Sequence, residues 1–168
     1  MSYSGSPMAA VSEPLALRSP ARFGLRMVLL MFCVKGLVVV PPVMFGLPGK
    51  HITEGVVDAG GGAVVASYVL LPIETLLGQA LPIWVLKKRG ARRWLTLSLV
   101  SAAWFGCLHL FAGPFGFLTG FAGGTVLSYS WLSWRKGSFA LAFVGTTSVH
   151  AVHNALSLVV FLLVSGLQ

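Results

Sequence analysis

The stretch Ala63–Leu86, AVVASYVLLPIETLLGQALPIWVL, decides the fold. It is long enough to cross about 30 Å of hydrocarbon as a helix, and it holds one carboxylate, Glu74, near its middle. Its only other ionisable group is the phenol of Tyr68. An acid at the centre of a spanning helix costs roughly 2.5–3.5 kcal/mol on insertion scales, so it normally faces a polar interior and has a function.

The rest of the 168-residue chain is of the same kind. It is 56% hydrophobic and 10% charged with a mean hydropathy of +0.86, far from the soluble norm. The expected fold is an all-α integral membrane protein of about five transmembrane helices forming one compact bundle. The net charge of +8 does not imply a nucleic-acid partner, because the bases cluster beside apolar segments as topology determinants do. Cys33 and Cys107 fall singly in different spans and read as small packing residues, not a disulfide framework.

Residues 1–23 are rich in Ser, Pro and Ala and read as a flexible cytoplasmic tail. Residues 24–168 form the membrane domain, with its motif-bearing core at about 63–166. The expected spans are Gly24–Leu47, Ala63–Leu86, Trp94–Ala112, Phe115–Trp134 and Ser138–Gly166, the last with a potential break at Gly145. If they alternate, Arg18, Arg22, Arg26, Lys87, Lys88, Arg89, Arg92, Arg93, Arg135 and Lys136 share one side. The other side receives Lys50, Glu54 and Asp58. The positive-inside rule then gives a multi-pass plasma (inner) membrane protein with a cytoplasmic N-terminus and the C-terminus outside. Trp84, Trp94, Trp131 and Trp134 beside the basic connectors suit an interfacial aromatic belt.

Span four carries Gly116, Gly120 and Gly124, a stripe on one helix face that lets a neighbouring backbone approach. Pro72 cannot donate to the Tyr68 carbonyl and suggests a helix opened near Glu74. Lys35, about nine residues inside the first span, is expected to snorkel to the interface, the alternative being a pairing with Glu74. His51, Glu54 and Asp58 lack metal-ligand spacing and read as a solvated loop.

The polar residues of three spans agree in depth. Taking 1.5 Å per residue, Glu74 lies about 20 Å from Lys87, His109 about 24 Å from Arg93, and His150 about 21 Å from Lys136. Asn154 is one turn beyond His150 on the same face. A common layer argues for one shared site. His153 occupies a poorer register and reads first as a packing residue.

Three segments together resemble a known family. Glu74-Thr75-Leu76-Leu77-Gly78-Gln79, Phe105-Gly106-Cys107-Leu108-His109 and His150-Ala151-Val152-His153-Asn154 are similar to the three ordered motifs of the CPBP intramembrane proteases. That family includes the type II CAAX prenyl endopeptidases and Abi-type proteins. Its pattern is E-E-x-x-x-R, F-x-x-x-H and H-x-x-x-N, each on its own helix. This chain departs at two positions, with Thr75 for the second acid and Gln79 for the arginine. A neutral Thr75–Gln79 hydrogen bond at i, i+4 would replace the missing pair.

The resemblance implies an intramembrane endopeptidase acting on membrane-associated or lipid-anchored substrates. Glu74 would be the general base for the attacking water, and His109 would position that water. His150 and Asn154 would stabilise the oxyanion, with Thr75, Gln79 and Phe105 in support. Glu74, His109 and His150 are also the three ligands that a hydrolytic Zn2+ takes beside one open position, so metal use stays open. The alternative is a non-proteolytic membrane partner or immunity-type protein that keeps the fold. The expected partners are a membrane protein or peptide substrate and the lipid bilayer. Substrate identity and oligomeric state are not legible in the sequence.

Overall fold

A computed structural model describes residues 15–44 and 60–165, and every regular element among them is helical. In chain order they are α1 (Leu15–Arg18), α2 (Pro20–Met44), α3 (Gly60–Thr75), a π-helical turn (Leu76–Ala80) and α4 (Leu81–Lys88). There follow α5 (Trp94–Leu108), a 3-10 turn (Leu110–Ala112), α6 (Gly113–Trp134) and α7 (Phe139–Ser165). Among the described residues, three stretches are long and apolar enough to cross a membrane: Tyr68–Lys88, Leu110–Trp134 and Phe139–Val160. The α5 helix is shorter at 15 residues, about 22 Å. The α2 helix carries Arg22, Arg26 and Lys35.

Local chemistry explains the boundaries. Pro20 opens α2, where its missing N–H costs nothing. Gly90 ends the turn after α4 at φ +86°, and Gly113 turns the chain into α6 at φ +74°, conformations that favour glycine. The Oγ of Ser138 accepts the Leu141 N–H at 2.9 Å and caps the start of α7.

The α6 helix is the centre of the bundle and packs against α2, α5 and α7. Its glycine stripe meets α5 directly, as the spacing predicts. A Cβ on Gly124 would stand 3.0 Å from Phe105 Cβ and 3.1 Å from Ala102 Cα, and one on Gly120 3.1 Å from Gly106 Cα. Only bare backbone permits that approach.

Contacts at one end of the bundle gather the basic connectors. Phe23 of α2 meets Trp134 of α6 edge-to-face at 5.0 Å, and Trp94 of α5 meets Tyr129 of α6 at 5.5 Å. A Cβ on Gly137 would touch Leu17 Cδ2 at 2.8 Å. The starts of α1, α2 and α5 therefore share one end with the close of α6, and their flanking arginines and lysines lie there.

Several expectations are corrected. Residues 15–18 and 20–23 are helical rather than a flexible tail, because Ala16 and Phe23 are buried in the core. Trp131 and Trp134 are buried as well, while Trp84 and Trp94 are half exposed and suit a belt. The indole of Trp134 fits because Gly145 leaves room, its Cβ position being 2.7 Å from Trp134 Nε1. That close packing also accounts for α7 running unbroken through Gly145. Residues 1–14, Lys50, His51, Glu54 and Asp58 lie outside the described residues.

Candidate active site

Glu74 is the penultimate residue of α3, and the helix changes character just after it. The chain passes through Pro72 as α-helix and widens into the π turn one turn later, where the Leu81 N–H donates to Leu76 O. The cause is Pro82. It has no N–H for Gly78 O at i−4 or for Leu77 O at i−5. Both carbonyls are taken by α5 instead: Ser101 Oγ donates to Gly78 O at 2.9 Å, and Trp104 Nε1 donates to Leu77 O at 3.0 Å. The opening expected at Pro72 thus forms around Pro82, and it is closed by side chains of the next helix.

Phe105 is the hub. Its ring edge contacts Gly78, whose missing Cβ would collide with Cδ2, and its Cβ rests on Gly124. Its ring centroid is 4.5 Å from that of His109 and 5.8 Å from that of His150. One buried aromatic therefore fixes the π turn, His109 and His150 relative to each other.

His109 ends α5. Its Nδ1 lies 2.8 Å from Phe105 O, and a carbonyl only accepts, so Nδ1 carries the hydrogen. The lone pair is then on Nε2, which makes no other hydrogen bond among the described residues. The imidazole also rests on α6, since a Cβ on Gly120 would be 3.0 Å from His109 Cγ. The glycine stripe seats this histidine as well as joining two helices.

His150, buried in α7, has Nε2 at 3.9 Å from Glu74 Oε2. That is too long for a hydrogen bond, but it sets acid and imidazole face to face. Among the described residues His150 Nδ1 has no partner. His153 packs on Phe32 of α2 with centroids 4.6 Å apart, and its Nδ1 donates to Asn154 Oδ1 at 3.3 Å. The packing role expected of His153 agrees with this. Asn154 is engaged by His153 and keeps its amide Nδ2 as a donor. His109 and His150 thus both flank Phe105, and Glu74 faces His150, with Asn154 one turn further along α7.

One expectation fails here. Thr75 and Gln79 are fully buried, but among the described residues Thr75 Oγ1 and both amide atoms of Gln79 have no partner, so the neutral bond does not form. Gln79 lies inside the π turn that follows Thr75, which breaks the i, i+4 register the pair would need. The stem of Lys35 packs inward on α6. It crosses α6 where a Cβ on Gly123 would be 2.7 Å from its Cε and 3.4 Å from its Nζ. A glycine doorway and the buried neighbour Met31 hold its stem inside the bundle.

The donor set does not fit a resident metal. Among the described residues no three His, Cys, Asp or Glu side chains gather as one ligand group, Glu74, His109 and His150 included.

Ser101, Trp104, Gly78 and Gly123 were not singled out from the sequence. Asking where Pro82 leaves its two acceptors would have pointed to polar groups on a neighbouring helix. Comparison of the chain with family models, with curated proteins and with solved structures found no match.

Proposed function

We propose that the protein is an intramembrane endopeptidase of the CPBP type, a five-span bundle with a cytoplasmic N-terminus that hydrolyses peptide bonds of membrane-associated substrates. The observation that carries this reading is the facing of Glu74 Oε2 and His150 Nε2 across 3.9 Å, with His109 on the same aromatic hub. The gap leaves Glu74 free to hold a water molecule and His150 free to meet the oxyanion. The gathering of the basic connectors at one end supports the orientation, because alternating spans would put all ten on the cytoplasmic side.

In the proposed reaction Glu74 takes a proton as the water oxygen attacks the scissile carbonyl carbon. His109 Nε2 accepts a hydrogen bond from that water and aims it. The carbonyl oxygen becomes an oxyanion, which His150 and the Nδ2 amide of Asn154 stabilise. Collapse breaks the C–N bond, and the proton held by Glu74 passes to the leaving nitrogen. The products are a carboxylic acid and an amine. Half-exposed Glu74 near mid-depth suits a substrate that enters sideways from lipid.

The test compares hosts making the native protein or Glu74→Gln at matched levels, with termini of membrane and secreted proteins mapped by mass spectrometry. Loss of specific termini with accumulation of uncut precursors supports the peptidase. Unchanged termini with a stably inserted variant overturn it and leave the non-proteolytic partner reading. The unpartnered Thr75 and Gln79, where the family has a charged pair, favour that second reading.

A further inference from the structure

Glu74 is the sole carboxylate among the described residues, and it sits in a stretch able to span a membrane. An acid in that setting calls for a partner. Gln79, at the arginine position of the first motif, is neutral and makes no bond to it. Of the described lysines and arginines, all but Lys35 belong to the basic end. Lys35 stands on α2, outside the motif-bearing helices.

The placement of Lys35 is built into the packing. Gly123 is buried in α6, and any side chain there would strike Lys35 Cε at 2.7 Å and Met31 Cε at 3.1 Å. One turn before Lys35, Phe32 stacks on His153. His153 is one turn from His150, which faces Glu74. Helical side chains lean toward the N-terminus of their own helix, which carries the amine of Lys35 back toward the Phe32–His153 contact.

We propose that Lys35 is the counter-ion of Glu74, a positioning residue delivered through the Gly123 gap that replaces the arginine absent from the first motif. The first helix is then part of the site rather than a mere anchor. The inference concerns the site proposed above, but it does not depend on hydrolysis, and its test reads stability alone. Failure here is therefore distinct from failure of the peptidase reading.

The experiment is a double-mutant cycle on the full chain in lipid nanodiscs. Melting is measured for the native protein, Lys35→Met, Glu74→Gln, the double variant and Lys35→Arg. Met keeps the length of the stem without the charge. The expected result is a Tm drop on the order of 5–10 °C for Lys35→Met. It should shrink by at least half in the Glu74→Gln background, and Lys35→Arg should stay near the native value. A double variant that folds where Lys35→Met alone does not counts as the same coupling. An equal loss in both backgrounds, no loss in either, or failure of Lys35→Met and the double variant alike overturns the proposal.

Discussion

The indole Nε1–H of Trp104 donates to the carbonyl oxygen of Leu77 at 3.0 Å, filling one of two acceptors that Pro82 leaves bare. Ser101 fills the other. In hydrocarbon a backbone carbonyl without a partner is costly, so these two bonds make the π turn below Glu74 tolerable. Interhelical hydrogen bonds in membrane bundles contribute about 0.6–1.7 kcal/mol. Ser101→Ala and Trp104→Phe are each expected to lose that much. Pro82→Ala restores an N–H donor, so Ser101→Ala should cost less in that background. Equal costs in melting experiments would show that Pro82 is not the cause.

The glycine contacts give a graded series. Ala at Gly78 or Gly124 forces a methyl against Phe105, and Ala at Gly120 forces one against His109 and Gly106. Overpacking of this kind costs about 1–3 kcal/mol. Gly24 and Gly36 have open space around them in α2, so Ala there should be neutral or stabilise by up to about 1 kcal/mol. Phe105→Leu should relieve Gly78→Ala, because it removes the ring edge that the new methyl meets. Melting temperatures of the single and paired variants check the order.

The sequence exposes what periodicity and composition control. Helices and the glycine face are legible from one-dimensional spacing, because a helix converts residue number into height and angle. Partners across helices are not. The bonds of Ser101 and Trp104 depend on which face α5 turns to α4, and the path of Lys35 depends on a glycine 88 positions away. The Thr75–Gln79 bond was read on an ideal α-helix, and the π turn shifts that register by about one residue.

The hydrogen bond from His109 to Phe105 O fixes a tautomer. In nitrogen NMR of selectively labelled histidine, the neutral ring of His109 should show a protonated Nδ1 and an unprotonated Nε2. His109→Ala removes the signals and assigns them. A protonated Nε2 in the neutral ring would contradict the bond and remove the acceptor proposed to aim the water.

His150 and His153 separate a site role from a packing role within one helix turn. His153 stacks on Phe32 and donates to Asn154, so Phe at 153 keeps the stacking and gives up one weak bond of 3.3 Å. The expected stability loss is about 0.5–1.5 kcal/mol, with the proposed proteolysis falling only as far as Asn154 loses its orientation. His150 faces Glu74 instead. Its replacement by Phe removes a proposed oxyanion donor, whose loss costs on the order of 10²–10³ in turnover in acyl-transfer sites. Asn154→Ala should fall near His150→Phe in turnover and near His153→Phe in stability. Once proteome mapping supplies a cleaved peptide, turnover of the three variants is read on it in nanodiscs. If His153→Phe is the most damaging to turnover at equal stability, the roles of the two histidines are reversed.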